Sequence, residues 1–494
     1  MWWPATKAGT DERGPMKRTP FYRPPSGSIP TLGIPSLDGV KKVHLIGVGG
    51  AGMRNLARLF LARGIAVSGS DLKDSDGLRE LAALGARVQV GHDADELDDP
   101  DAVVISSAIT EGNAELAAAR DRGLAVWARQ QAIAAFADAH RSIAVAGTTG
   151  KTTTTSMIAT VLERAGLDPS YLIGGDLNES GSGARAGGGD LFLFEADESD
   201  GSFLLTDPAI GVVTNVEVDH VDFYPGGEEE LRLAFAEFCA RSDRLVVCTD
   251  DEGAREALRV AGADAVGYGE SSDAEIRLTI ETPGPGGARG TLAVGATRVP
   301  LQLRVDGAHN LLDAAAAMAV GVVVGIPPDD AARALASFDG IHRRFEHRGT
   351  ARGADFYDDY AHVPHELAVT LGVARARGPR RLVAVFQPHR YSRTQALWRE
   401  LGAGLTGADL IVVTDVYGAN QTPIPGVTGA LVVDGVRSAA PGREVVYTPH
   451  GDDAVSFLAD EVREGDLVIT LGCGDVWMLG DAARARIEEA DGDA

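Results

Sequence analysis

Ile143-Ala-Val-Ala-Gly-Thr-Thr-Gly-Lys-Thr-Thr-Thr-Thr155 decides the architecture. An apolar, β-branched run leads into a turn with two glycines, and the turn opens a helix. Gly147 and Gly150 let the backbone approach an anion closely and aim successive N–H groups at it. The helix start at Thr152, followed by Thr153, adds the positive end of a macrodipole. Lys151 supplies a mobile charge for β- and γ-phosphates, Thr148 and Thr149 line the turn, and the Thr152 hydroxyl suits Mg²⁺. The spacing is G-T-x-G-K-T, one short turn rather than GxxxxGK[ST], since Val145 stands six residues before the lysine.

Working outward, two acidic clusters follow apolar strands. Glu195-Ala-Asp197-Glu198-Ser-Asp200 closes the strand Leu191–Phe194, and Thr214-Asn215-Val-Glu217-Val-Asp219-His220-Val-Asp222 closes the next one. Carboxyl ends of neighbouring parallel strands face one crevice, so both clusters are expected beside the phosphate loop. His220, judged by its chemistry alone, reads as a loop histidine, because imidazole is an unusual ligand for magnesium. Upstream, Gly47-x-Gly49-Gly50-x-Gly52 follows a strand and precedes a helix, with Asp71 after the second strand. Taken alone, this is a dinucleotide fingerprint and reads as NAD binding.

The wider pattern alternates short β-branched runs with Ala- and Leu-rich stretches of helical period, which predicts α/β layers with parallel sheets. Strands are expected at Val43–Val48, Ile65–Gly69, Ala102–Ser106, Ile143–Ala146, Gly211–Asn215, Arg244–Thr249, Arg381–Phe386, Leu410–Thr414 and Leu467–Leu471. Helices are expected at Met53–Arg63, Thr153–Ala165 and Asn310–Val324. Residues 275–306, broken by Pro283-Gly-Pro-Gly-Gly287, read as an antiparallel excursion. A chain of 494 residues exceeds one core. The expected division is a disordered leader at 1–38, a Rossmann-like domain at 39–135, a P-loop-type mononucleotide-binding domain at 136–340, and a third, Rossmann-like domain at 341–494.

The 46 basic and 71 acidic side chains give a net charge of −25. That balance argues against nucleic acid or anionic lipid as a partner, since both select a basic face. The three cysteines form no CxxC pair, so neither a disulfide framework nor a zinc site is expected. No run of about 18 apolar residues is present, so no membrane span is expected, and the sequence reads as cytoplasmic.

The motifs GTTGKTTTT, EADESDGSF, TNVEVDHVDFY and GAHNLLDAAAA, in this order, resemble the central ATPase domain of the Mur ligases. FDGIHRRFE, DDYAHVPHE, FQPHRYSRT and LGCGD are similar to that family's C-terminal domain, and HLIGVGGAGM (44–53) is similar to its alanine-adding members. The resemblance implies an ATP- and Mg²⁺-dependent ligase with UDP-N-acetylmuramate and L-alanine as substrates. It gives Gly47, Gly49, Gly50, Gly52, Ser70, Asp71 and Ser107 to the UDP-sugar, and Lys151 to the ATP phosphates. Thr152 and Glu195 would hold one magnesium and His220 a second, while His309 and Asn310 would meet adenine. Asp359, Tyr360 and His362 would close over the site, with Arg344, Arg390 and Arg393 holding the amino acid and 338–346 as hinge. Thr149, Asp313, Val363, His365 and Gln421 depart from the family pattern. A sibling ligase that attaches a recycled tripeptide is the nearest alternative.

Overall fold

The computed structural model describes residues 19–106, 108–217, 223–419 and 421–492. Its chain divides into two compact units, residues 1–283 with 287–339, and residues 284–286 with 340–494. Among the described residues, no helix is long and apolar enough to cross a membrane.

Unit 1 holds two sheets. The first contains β1 (Lys42–Ile46), β2 (Ala66–Asp71), β3 (Arg87–Val90), β4 (Ala102–Ile105) and β5 (Ala125–Ala128). They run parallel in the order β3-β2-β1-β4-β5. The helix Ala51–Ala62 starts directly after the Gly47–Gly50 turn and packs Met53, Leu56, Leu59 and Phe60 inward. That i, i+3 spacing places one apolar stripe on the sheet.

The second sheet takes β6 (Arg141–Ala146), β7 (Ser170–Leu172), β8 (Ala184–Arg185), β9 (Leu191–Glu195), β10 (Ile210–Val213), β11 (Leu245–Cys248) and β12 (Val266–Gly269). It continues into β13 (Ile276–Thr282), β14 (Arg289–Val294) and β15 (Thr297–Gln302). The order is β15-β14-β13-β12-β11-β10-β6-β9-β7-β8. The loop-bearing strand β6 sits between β10 and β9, parallel to both. Its residues Ser142–Ala146 are buried, as a central strand covered on both faces requires. The expected excursion is an antiparallel meander, β13 to β14 to β15.

Unit 2 holds β16 (Glu346–Ala351), β17 (Ala354–Asp359), β18 (Arg381–Phe386), β19 (Leu410–Val413), β20 (Glu444–Tyr447) and β21 (Asp466–Leu471), ordered β16-β17-β21-β18-β19-β20. Only β16 runs antiparallel, pairing with β17. Each sheet is flanked by helices, so the expected three-part α/β architecture is the observed one.

The leader expected to be disordered across 1–38 needs correction from residue 19 onward; residues 1–18 lie outside the described residues. Tyr22 and Leu37 are buried. The Phe21 N–H donates to Glu237 at 3.0 Å, Gln131 donates to the Gly33 carbonyl at 2.8 Å, and Tyr22 packs near Tyr224 at 6.0 Å between ring centroids. Proline density suppressed the apolar period of this segment, yet two large apolar side chains suffice to seat an irregular strap.

Candidate active site

The phosphate loop is built from β6 and the helix Lys151–Arg164. Gly147 and Gly150 have φ of +144° and +80°, the region that disfavours side chains. A Cβ at Gly147 would also overlap Thr214 Oγ1. Thr214 Oγ1 donates to the Thr149 carbonyl at 2.7 Å. Asn215 Oδ1 accepts the Thr149 N–H at 2.9 Å, while its Nδ2 donates to Thr149 Oγ1 at 2.7 Å. The Thr148 hydroxyl accepts the Glu217 N–H at 2.9 Å. The loop is therefore laced to the end of β10, and the threonine at position 149 gives Asn215 a hydroxyl to bind.

Lys151 Nζ donates to Glu198 Oε2 at 2.7 Å and to the Gly147 carbonyl at 2.5 Å. Burial works against its charge, but Glu198, Asp197 and Glu195 outweigh it and raise its pKa. Asp197 moves oppositely: burial would raise it, and Lys151 with the Ser199 N–H holds it below its usual value. Glu195 Oε1 accepts the Gly174 N–H at 2.7 Å. The Tyr224 hydroxyl donates to the Glu198 carbonyl at 2.6 Å, tying the second acidic segment to the first. Thus Lys151 and the first acidic cluster converge as the strand order demands.

Thr152 and Thr153 occupy the first turn of the helix Lys151–Arg164, and Thr154 Oγ1 donates to Asp313 Oδ1 at 2.9 Å. An asparagine oxygen could accept the same bond, so the Asp313 departure preserves this contact. His309 and Asn310 stand in the first turn of the helix Ala308–Val324, where Asn310 Nδ2 donates to the Asp306 carbonyl at 2.6 Å. His220 lies outside the described residues. Among the described residues no three His, Cys, Asp or Glu side chains gather as a metal cluster. The hydroxyl of Thr152 and the carboxylate of Glu195 are nevertheless the hard oxygen donors Mg²⁺ takes, one or two at a time beside phosphate and water.

In the first turn, Gly47 has a φ of +81°, and the Gly47 and Val48 N–H groups donate to the Ser70 carbonyl at 2.8 and 3.0 Å. The Gly49 N–H donates to Asp71 Oδ2 at 2.9 Å, and Gly50 caps the helix Ala51–Ala62. The Ser70 hydroxyl is fully buried, donating to Glu115 Oε2 at 2.5 Å and lying 2.8 Å from His92 Nδ1, while its carbonyl takes the two N–H groups of the turn. Strand alternation turned this side chain into the core. Ser107 lies outside the described residues. Arg129 was not foreseen: a Cβ at Gly52 would stand 2.7 Å from its Nη1, which puts a cation beside the turn. The sequence signal was an arginine opening the Ala-rich helix Arg129–Asp138.

Unit 2 gathers its assigned residues around Tyr360, with the guanidinium carbons of Arg343 and Arg344 each 5.2 Å from the ring centre. Asp359 accepts the Phe345 and Ala361 N–H groups at 2.8 Å each, and burial pushes its pKa up to about 6. His362 stands beside His389 at 5.9 Å and Glu366 at 3.4 Å. Burial pulls its pKa down, against the pull of Glu366. Arg390 has a φ of +67°, backbone strain at the start of the helix Tyr391–Gly404, which also carries Arg393. Gln421 Nε2 donates to Ser392 Oγ at 2.9 Å and its Oε1 accepts the Ser392 N–H at 3.1 Å. Val363 caps the helix Pro364–Ala376, which holds His365 in its first turn.

The chain matches three family descriptions in succession. They are Mur ligase family, catalytic domain, at residues 42–141; Mur ligase middle domain at 145–321; and Mur ligase, glutamate ligase domain, at 343–474. It is 45% identical over 468 residues to the UDP-N-acetylmuramate–L-alanine ligase of Saccharopolyspora erythraea, covering 92% of this chain and 94% of the relative. Identity to the protein of that name from Paenarthrobacter aurescens is 46% over 458 residues, covering 91% and 98%. Among solved structures, the UDP-N-acetylmuramate–alanine ligase of Thermotoga maritima superposes with a TM-score of 0.78 at 27% identity, covering 92% of this chain and all (100%) of that one. The murein peptide ligase of Psychrobacter arcticus, at 24% identity and a TM-score of 0.69, shares the fold, with coverage of 91% and 99%.

Proposed function

The chain belongs to the Mur ligase family, and from that premise we propose that it joins L-alanine to the lactyl carboxylate of UDP-N-acetylmuramate, with ATP converted to ADP and phosphate. The reaction is a step of peptidoglycan precursor synthesis. The observation that carries this reading is identity of 45–46% to L-alanine ligases along more than nine-tenths of the chain. An NAD-dependent oxidoreductase would leave the Lys151 loop and its carboxylates without a task.

A carboxylate does not react with an amine at neutral pH, so it must first be activated. The lactyl carboxylate attacks the γ-phosphorus, breaking the bond to the β–γ bridging oxygen and releasing ADP. Lys151 swings from Glu198 to the β- and γ-phosphates and stabilises charge on the transferring group. Thr152, Glu195 and His220 would hold Mg²⁺, which when bound neutralises phosphate charge. The Gly147–Gly150 N–H groups orient the triphosphate, and His309 with Asn310 flanks the base. The alanine amine then attacks the acyl carbon and phosphate leaves. Arg344, Arg390 and Arg393 hold the amino-acid carboxylate, and Asp359, Tyr360 and His362 shape that subsite. Gly47, Gly49, Gly50, Gly52 and Asp71 seat the UDP-sugar, with the Arg129 guanidinium beside Gly52.

The test is ADP release with Mg²⁺, ATP and UDP-N-acetylmuramate, with and without L-alanine. Release that requires both substrates is the expected result. Release that requires a tripeptide instead would replace this acceptor with the recycling one.

A further inference from the structure

Beyond the Gly174 contact to Glu195, the segment between β7 and β8 has no role in the reading above, yet it touches both halves of unit 1. It is a closed loop: the Ile173 N–H donates to the Gly183 carbonyl and the Gly181 N–H to the Leu177 carbonyl, each at 2.7 Å. At its start, the Gly174 N–H holds Glu195 Oε1 at 2.7 Å. A Cβ at Gly174 would stand 2.8 Å from Glu195 Oε2, so the carboxylate lies flat against a residue that must be small.

Two residues later the loop changes partner. Asp176 Oδ1 accepts the Gly183 N–H at 2.7 Å, and its Oδ2 accepts Arg54 Nη2 at 3.2 Å. Arg58 Nη1 donates to Ser182 Oγ at 2.7 Å and to Asn55 Oδ1 at 2.9 Å. Arg54, Asn55 and Arg58 belong to the helix Ala51–Ala62, and the Arg54 N–H itself bonds the Gly50 carbonyl at 2.8 Å. The Arg54 and Asp176 side chains are only 19% and 24% exposed, so solvent screens this pair less than a surface pair.

We infer that loop 173–185 is a relay that couples occupation of the Gly47–Gly52 turn by a diphosphate to the placement of the Glu195 carboxylate. Arg54 and Asp176 act as positioning residues and touch no substrate. This rests on the UDP-sugar reading of that turn. The physical path is short. An anion settling on the N–H groups at the start of the helix Ala51–Ala62 draws on that helix, which moves as a rigid rod. Its Arg54 and Arg58 grip the loop, and the loop's Gly174 N–H fixes which Glu195 oxygen is bound and which faces the phosphate loop. Coupling of this kind is reciprocal, so nucleotide and UDP-sugar should each tighten the other's binding by the same factor.

The experiment uses the full chain with Arg54→Gln, Asp176→Asn and the pair combined. Hydrogen exchange of peptides spanning 173–185 is followed on adding UDP-N-acetylmuramate, and calorimetry measures ADP affinity with Mg²⁺, with and without the UDP-sugar. The wild type is expected to show slowed exchange in the loop and ADP affinity tightened by about fivefold or more. Each single variant should bind either ligand alone normally, lose the tightening and the loop protection, and lose turnover with an unchanged KM for UDP-N-acetylmuramate. The combined variant should be no worse than either single one, as for two members of one contact. Variants that keep the coupling, or that lose all ligand affinities together with thermal stability, overturn the relay. A wild type that binds UDP-N-acetylmuramate and turns over without any loop response overturns the relay alone. A wild type that binds no UDP-N-acetylmuramate overturns the functional reading, and the relay with it.

Discussion

The Gly47–Gly52 turn and the Gly147–Gly150 loop share a backbone plan of parallel strand, glycine turn and helix start, with positive φ at Gly47 in the first and at Gly147 and Gly150 in the second. They differ in charge and in how tightly they are filled. The first turn has an acid against it, with Asp71 on the Gly49 N–H, and its nearby cation, Arg129, comes from a distant helix. The second carries its own cation, Lys151, paired with the buried Glu198, and it is fastened by Thr214 and Asn215. Helix-start physics makes both turns receptive to anions; the side chains around them differ, and on the proposed reading that difference separates the diphosphate turn from the triphosphate loop.

Substitutions at matched positions can break that contrast. The largest effect is expected from Gly147→Ala, where a positive φ and an overlap with Thr214 combine. ADP release should fall by about 10³-fold or more, the size of effect seen when a site's electrostatic preorganisation is lost. Near-normal turnover would show the loop to be looser than its geometry.

Lys151→Gln follows. It removes the cation that Lys151 brings against Glu198, a carboxylate only 1% exposed. Turnover should drop about 10²–10³-fold. Unfolding in urea should show a loss of about 3 kcal/mol, the low end for breaking a buried pair. Equal stability of wild type and variant would mean that the pair is well solvated.

Gly49→Ala should be milder. The added Cβ meets the Asp71 carboxyl at 2.9 Å, and that side chain can swing away. The KM for UDP-N-acetylmuramate should rise about tenfold, with the KM for ATP unchanged. A change confined to the ATP KM would reverse the assignment of the two turns.

The smallest effect concerns the support beneath the first turn. Glu115 is buried, which alone would raise its pKa, but the neighbouring His44 ring and the hydrogen bond from Ser70 bring it below the usual value of 4.5. A depressed folded-state pKa contributes stability that is complete above the unfolded value and lost as pH falls through the folded one. Thermal melts should therefore decline below pH 4.5 less steeply in Glu115→Gln than in the wild type. Identical slopes would remove Glu115 from the acid response.

Strand β9, expected at Leu191–Phe194, runs one residue further to Glu195, because an unbroken apolar run ending in acid allows few alternatives. The helix after the phosphate loop begins at Lys151 rather than Thr153, two residues early, since Gly150 in the left-handed region already turns the chain. Lys151 and Glu195 were legible as chemistry. The partner of Lys151 was not, because Asp197, Glu198 and Asp200 are alike on paper and only the turn after β9 selects Glu198.

The sequence by itself determined the α/β alternation, the two glycine turns at helix starts, the acids at the strand ends and the family. All of these rest on local spacing, and spacing along a chain fixes a strand, a turn or a helix start. Only the tertiary structure decided that Ser70 faces inward to Glu115, that Asn215 clamps Thr149, that the strap from residue 19 is packed, and that Arg54 reaches Asp176. Those contacts join residues from 22 to more than 200 positions apart, and their formation depends on which faces meet when the sheets close.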